Sequence, residues 1–307
     1  IDRTAEAELK IVQREASLDE GLIYGKFTAI ANLKDIRVGD IVDYATTYHS
    51  QDKLWPGHFF GSFAARLSDP VGLRAVRIAW PVGYPLTYKT VNSDISFQKK
   101  REGNSQILEW VGKDVPEAAE EEKDVPDWFP QYGRVNISTM TTWGEVARWA
   151  SRFYEGDDTL TPDFEKRLDD IAQRWPDPAD RLTEVTRYVQ DNIRYVGEEM
   201  GEGSYVPRRP KTVLQRGYGD CKDKSLLLAV ALRKLGITAT PALASTEIGL
   251  GLPDRLPSPI AFNHVVVRAT LNGAFKWIDA TARLRERDHL ADRVGAEQQR
   301  GDPVPAE

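Results

Sequence analysis

The sequence predicts an α+β protein in two parts: an antiparallel β-sandwich domain over residues 1–135, then a helix-rich domain over residues 136–307 that closes on a β-hairpin. Three observations carry this. Short alternating runs broken by turn residues fill the first part. Beyond residue 141 apolar residues recur at helical spacing. Near the end, Asn272-Gly273 joins two β-like runs, a strong signal for a two-residue turn. Strands gathered ahead of helices, rather than alternating with them, read as α+β.

The strand-like runs are Leu9–Gln13, Asp40–Tyr48, His58–Phe63, Leu73–Trp80, Asp94–Gln98 and Gln106–Trp110. Residues 112–140 read as the joint, because Gly112-Lys-Asp-Val-Pro116 and Lys123-Asp-Val-Pro126 flank an acidic stretch over 117–122 that favours a solvated connection. Thr142–Tyr154 then places Trp143, Val146, Ala147, Ala150 and Phe153 on one helical face. Thr161-Pro162 opens a second helix as N-cap and first residue, and Asp180–Tyr195 makes a third. Trp143, Trp149 and Trp175 are assigned to core packing rather than to substrate stacking. Ser225–Leu235 is a run of strong helix formers that reads as a buried helix, with Gly236 where a left-handed cap is usual. Two long connections are expected to wall a substrate cleft, although a plain surface excursion explains either. One is Gly197–Pro210, with Glu198, Glu199, Glu202, Arg208 and Arg209; the other is Glu247–Phe262, whose prolines and glycines argue against regular structure. The tail beyond Arg283 reads as frayed, and His289 within it has no assigned role.

The chemistry concentrates at Cys221, the single cysteine of the chain, in Gly217-Tyr-Gly-Asp-Cys-Lys-Asp-Lys-Ser225. Asp220 is placed to cap the buried helix, which sets Cys221 in its first turn. Unpaired N–H groups and the helix dipole favour negative charge there, and Lys222 and Lys224 add positive charge, so a thiolate is stabilised. A small buried core residue is the competing reading. Downstream, pairing Leu271 with Ala274 across a type I′ turn puts His264 opposite Thr281 and Asp279 opposite Val266. His264 and Asp279 then share a face as diagonal neighbours, about 7–8 Å apart between backbones. Cys221, His264 and Asp279 supply a nucleophile, a base for the thiol proton and a group that fixes the imidazole tautomer. The hairpin pattern does not say that the Cys221 helix packs against it.

The strings Arg194-Tyr-Val-Gly-Glu198, Tyr205 to Ser225, Gly236-Ile-Thr-Ala-Thr-Pro241, Asn263-His264 and Trp277-Ile-Asp-Ala-Thr281 resemble the transglutaminase-like superfamily. More narrowly, they are similar to bacterial proteins in which that core follows a β-rich domain of unknown function, the family numbered 3857. Gly219-Asp-Cys-Lys-Asp223 is the most specific block. The resemblance implies a papain-like α+β core with Cys221 as nucleophile, His264 as general base and acid, and Asp279 as orienter. It implies thiolate attack on an amide carbonyl to give a thioester, resolved by water in a peptidase or amidase, or by an amine in a cross-linking enzyme. With no amine pocket legible, hydrolysis is slightly preferred. The Cys221 N–H is one oxyanion donor; Gln215 is a second, as in papain-like proteases, although Thr212–Arg216 reads equally as a short solvent-facing helix. The alternative is a catalytically silent binding or scaffold module that keeps the fold and interacts through its β domain.

A net charge of −6 with 29% charged residues argues against a nucleic-acid partner, and a protein or peptide substrate is expected instead. No apolar stretch of 18 residues exists to span a bilayer. One cysteine excludes an intramolecular disulfide. Asp220 and Asp223 are read as capping residues rather than metal ligands, no Cys/His set has zinc-like spacing, and no cofactor is expected. The chain starts at Ile1, so it is read as a piece of something longer, its β domain truncated and an edge strand left open to dimerisation or aggregation. The resemblance implies export to the periplasm, with the cytoplasm as alternative.

Overall fold

The computed structural model describes residues 8–14, 25, 27–49, 53–118, 125, 126, 129, 132–197 and 204–282. Glu198, Glu199 and Glu202, residues 119–122 of the acidic stretch, and His289 lie outside the described residues. The chain divides into two compact units, Ile1–Asp52 and Lys53–Glu307.

In the first unit β1 (Glu8–Gln13) pairs antiparallel with β2 (Phe27–Asn32), Glu8 opposite Asn32 and Gln13 opposite Phe27. Asp40–Tyr48, predicted as a strand, is irregular and exposed throughout. Alternation is only a permissive signal: a strand also needs a neighbour whose edge is unpaired and a core for one face.

The second unit begins with six strands, β3 (Phe60–Ala64), β4 (Val71–Pro81), β5 (Thr87–Val91), β6 (Gln98–Glu102), β7 (Ser105–Val115) and β8 (Arg134–Ser138). They form two antiparallel sheets, ordered β3-β8-β5 and β4-β7-β6. Val135 and Ile137 of β8 and Phe63 of β3 join Ile78 of β4 and Trp110 of β7 in one apolar cluster, so the two sheets share a core. Three sequence expectations are corrected here. The run Asp94–Gln98 is irregular up to its last residue, where β6 starts. β7 continues past Trp110 to Val115. β8 lies within the stretch expected to be the joint and spans residue 135, which narrows the connection to the residues between Val115 and Arg134. Two inward residues in five are too few to make a period-two signal, yet they suffice once flanking strands cover both edges.

The rest of this unit runs α1 (Trp143–Tyr154), α2 (Pro162–Arg174), α3 (Pro178–Asn192), β9 (Arg194–Tyr195), α4 (Pro210–Arg216), β10 (Tyr218–Gly219), α5 (Cys221–Lys234), β11 (Thr238–Ala244), β12 (His264–Leu271) and β13 (Ala274–Ile278). Thr142 and Glu145 close a reciprocal capping box on α1. Asp177 caps α3 with Pro178 at its first position, two residues before the predicted start. The helix ends at Asn192 rather than Tyr195 because Arg194-Tyr195 enters a short parallel pairing with β10. The last three strands form a sheet ordered β11-β12-β13.

α5 is the centre of this half. Every residue from Cys221 to Leu232 is buried, as its unbroken apolar run requires. Leu226, Leu227 and Leu228 join Val185 and Val189 of α3 and Val267 and Ala269 of β12 in one cluster. Leu227→Ala should therefore cost about 2–5 kcal/mol, read as a lower denaturation midpoint at unchanged slope. A cost below about 1 kcal/mol would contradict the packing.

The connection Glu247–Phe262 is not free of regular structure: it makes two 3-10 turns, Gly249–Asp254 and Pro259–Ala261. The second starts on proline, whose missing N–H is no loss there, and Ser258 accepts from the N–H of Ile260. Two strands of the preceding sheet hold the segment in place, Ser138 Oγ donating to the Pro257 carbonyl at 2.6 Å and Lys89 Nζ to the Asp254 carbonyl at 2.6 Å.

Candidate active site

The start of α5 is fixed by reciprocal capping. Asp220 accepts from the N–H groups of Lys222 at 2.9 Å and Asp223 at 3.1 Å, and Asp223 accepts from the N–H of Asp220 at 3.2 Å. Gly219 is required for this closure, since a Cβ there would sit 2.6 Å from that of Asp223. As the first N–H of the helix, that of Cys221 has no carbonyl one turn back to bond. The flanking charges are committed elsewhere. Lys222 pairs with Asp220 at 2.8 Å. The Lys224 ammonium donates to the carbonyls of Ile193 at 2.6 Å and Gln190 at 3.4 Å, at the end of α3. Arg208 donates from its backbone and its guanidinium to Asp223, at 2.6 and 2.8 Å. Burial pushes the Asp223 carboxyl up, and the Asp220 charge adds to this against the Arg208 bonds.

The hairpin takes the predicted register. Asn272 and Gly273 hold φ of +51° and +79° as a type I′ turn demands, and Leu271 pairs with Ala274. The ladder ends at Val267 opposite Ile278, leaving Asp279 free to turn toward His264. His264 Nε2 meets Asp279 Oδ2 at 3.0 Å. The other carboxylate oxygen accepts from the backbone N–H of Thr281 at 2.8 Å and its hydroxyl at 2.7 Å. Gln190 of α3 donates to the Asp279 carbonyl at 2.8 Å.

What the hairpin pattern left open is settled by Ser225, one turn along α5. Its hydroxyl donates to the carbonyl of Val265 at 3.0 Å, which ties the helix to the strand that begins at His264. Cys221 and His264 thereby line one cleft, with the cysteine close enough to raise the proton affinity of the imidazole. Because Nε2 faces Asp279, Nδ1 is the ring nitrogen left for the thiol. The structure brings Cys221, His264 and Asp279 together. It does not bring Gln215, which is exposed on α4 and absent from the cleft wall; Val213 takes the buried face of that short helix. Thr281, Ser225 and Gln190 escaped the sequence reading. Thr281 alone had a local signal, as a hydroxyl two residues after Asp279.

A cleft of about 300 Å³ is lined by Cys221, His264 and Asn263. Both long connections contribute to its lining, Ser204 and Tyr205 from one and Pro259 and Phe262 from the other, together with Trp149 and Tyr154 of α1. Trp149 is thus both core and cleft wall. Cys221 is 2% exposed, but it is not sealed in hydrocarbon, since it lines this cleft beside an imidazole.

The imidazole is held as a cation. Burial, the largest single influence, favours loss of its proton, but hydrogen bonds to Asp279 and Cys221 and the charges of both outweigh it and raise its pKa to about 10. Asp279 is pushed up by burial, yet the His264 and Thr281 bonds and the imidazolium charge win and hold it below the usual carboxylate range. The raised histidine contributes stability that is full below about pH 6.5 and is lost as pH rises through about 10. The lowered aspartate contributes stability present above about pH 3.9 and lost as pH falls through its folded value. The His264 ring signals should therefore titrate by NMR far above the ordinary histidine range. A midpoint near 6.5 would contradict the ion pair.

Residues 165–279 match the family model of the transglutaminase-like superfamily, and residues 1–119 match that of DUF3857, a domain of unknown function with solved structures. The chain carries a transglutaminase-like core behind a DUF3857 domain. No curated protein matches it. Among solved structures, a provisionally assigned protease from Parabacteroides distasonis superposes with a TM-score of 0.60 at 15% identity, covering 92% of this chain; this chain spans 54% of that one. At that identity the likeness is one of fold. The periplasmic domain of TgpA from Pseudomonas aeruginosa (11% identity, 78% of this chain, 80% of that one) has a TM-score of 0.30. A provisionally assigned cysteine protease from Cytophaga hutchinsonii (12%, 73% and 78%) has one of 0.29. Both are too distant in shape to carry an argument.

Proposed function

We propose that the chain is a cysteine enzyme that opens an amide through a thioester on Cys221, a peptidase or amidase rather than a cross-linking transferase. The observation that carries this is Cys221 and His264 lining one cleft, with His264 Nε2 3.0 Å from Asp279 Oδ2. The sulfur lone pair forms the bond to the amide carbon while the carbonyl electron pair moves to oxygen. His264, already an imidazolium, gives its proton to the leaving nitrogen as the C–N bond breaks. Water then attacks the thioester, its proton taken by the neutral imidazole, and the acid and thiolate are released. Water is the acceptor preferred here because the cleft wall is mainly apolar and the lysine among its described residues, Lys222, is paired with Asp220.

Protein or peptide is the substrate class that fits an amide-directed thiolate. A boundary near residue 135, adjusted to follow β8, separates the β domain from the catalytic domain in this reading, and the family resemblance adds export to the periplasm. The low exposure of Cys221 favours a second reading, a silent scaffold that keeps the fold. Iodoacetamide decides between them: a thiolate paired with imidazolium is alkylated rapidly even at about pH 6, whereas slow alkylation that accelerates only in the ordinary thiol range belongs to the scaffold.

A further inference from the structure

The oxyanion site at Cys221 is half built from what has been described. The Cys221 N–H is one donor, and Gln215, the side chain expected to be the other, lies on an exposed helix face away from the cleft. Tetrahedral intermediates of acyl transfer place a full charge on one oxygen, and sites that stabilise it present preorganised donors there.

One hydroxyl in the cleft is uncommitted. Tyr154, the last residue of α1, lines the same cleft as Cys221, and its hydroxyl oxygen is shut off from solvent and has no hydrogen-bond partner among the described residues. A buried polar atom without a partner is costly, so it calls for an explanation in function. Burial pushes the phenol's proton affinity up, and the charge on Cys221 pushes it further, ahead of those on Asp220 and Asp223. The hydroxyl therefore stays a donor at every working pH, in a cleft that the nucleophile also lines.

We propose that Tyr154 is the second oxyanion donor, its O–H and the Cys221 N–H together holding the carbonyl oxygen during attack by the thiolate. This rests on the cysteine-amidase reading. The substrate's carbonyl oxygen gives the buried hydroxyl an acceptor. The same geometry explains the end of α1 at the cleft, where its last residue reaches the site that its middle, through Trp149, helps to wall.

The test uses two reagents that need the thiolate but differ in whether an oxyanion forms. N-Acetyl-phenylalaninal adds the Cys221 sulfur to its carbonyl carbon and leaves charge on oxygen; with iodoacetamide the sulfur displaces iodide from the methylene carbon and no oxyanion forms. Tyr154→Phe should weaken aldehyde binding at least about tenfold and change the iodoacetamide rate less than about twofold. Its Tm should be unchanged or higher, since an unpaired buried oxygen is removed. Aldehyde binding equal to that of the unaltered protein would overturn the assignment to Tyr154 alone, as would an equal loss with both reagents or a fall in Tm of several degrees. An unaltered protein that reacts with neither reagent would overturn the amidase reading and this proposal with it.

Discussion

Cys221→Ala is expected to abolish turnover, by at least about 10³-fold, on any peptide or amide substrate that a library screen identifies, with the fold retained. The size follows from the chemistry: no other thiol exists in the chain, and without the sulfur no thioester can form. The fold is retained because α5 does not depend on that side chain. Its start is held by the Asp220–Asp223 box, and its body by Leu226 to Leu232 against α3 and β12. Alanine is also the best helix former, so the substitution does not weaken the first turn. Circular dichroism and Tm close to those of the unaltered protein, together with lost turnover, are the combined expectation. Full activity in the alanine variant would end the mechanism.

The parts of the site legible in the sequence are those written locally. The Asp220 cap, the buried run after Cys221 and the Asn272-Gly273 turn each depend on a few adjacent residues, and the turn fixes the register that sets His264 beside Asp279. What brings the helix to the hairpin was not legible. The Ser225 bond to Val265 and the Gln190 bond to Asp279 span 40 and 89 residues, and a serine or glutamine in a helix looks the same whether it faces solvent or a strand. Lys222 and Lys224 illustrate the same limit: their charge was visible, but which acid or carbonyl each would reach was decided by packing. In the β domain the run Asp40–Tyr48 promised a strand that has no ladder, while Arg134–Ser138, a shorter run, became the middle of a sheet. Pairing is a property of two segments, and one segment's pattern states only half of it.

Asp279→Asn should lower turnover by about 10²- to 10⁴-fold with little effect on the amount of folded protein, because Thr281 dictates which way the amide must point. Its N–H and hydroxyl, at 2.8 and 2.7 Å, both donate to Oδ1 of the aspartate. An asparagine that keeps those two bonds turns its oxygen toward Thr281 and its NH₂ group toward His264. The imidazole must then accept at Nε2, which leaves the proton of the neutral ring on Nδ1, the nitrogen that faces the thiol and should receive its proton. The charge that helps hold the imidazolium is lost at the same stroke, so the His264 midpoint should fall from about 10. That fall is the readout a purely structural role would not give. Alkylation of Cys221 at about pH 6 should slow in the same variant, since less thiolate is paired with imidazolium. Asparagine at 279 with unaltered turnover and an unmoved His264 midpoint would mean that the carboxylate holds the turn at Thr281 and nothing more.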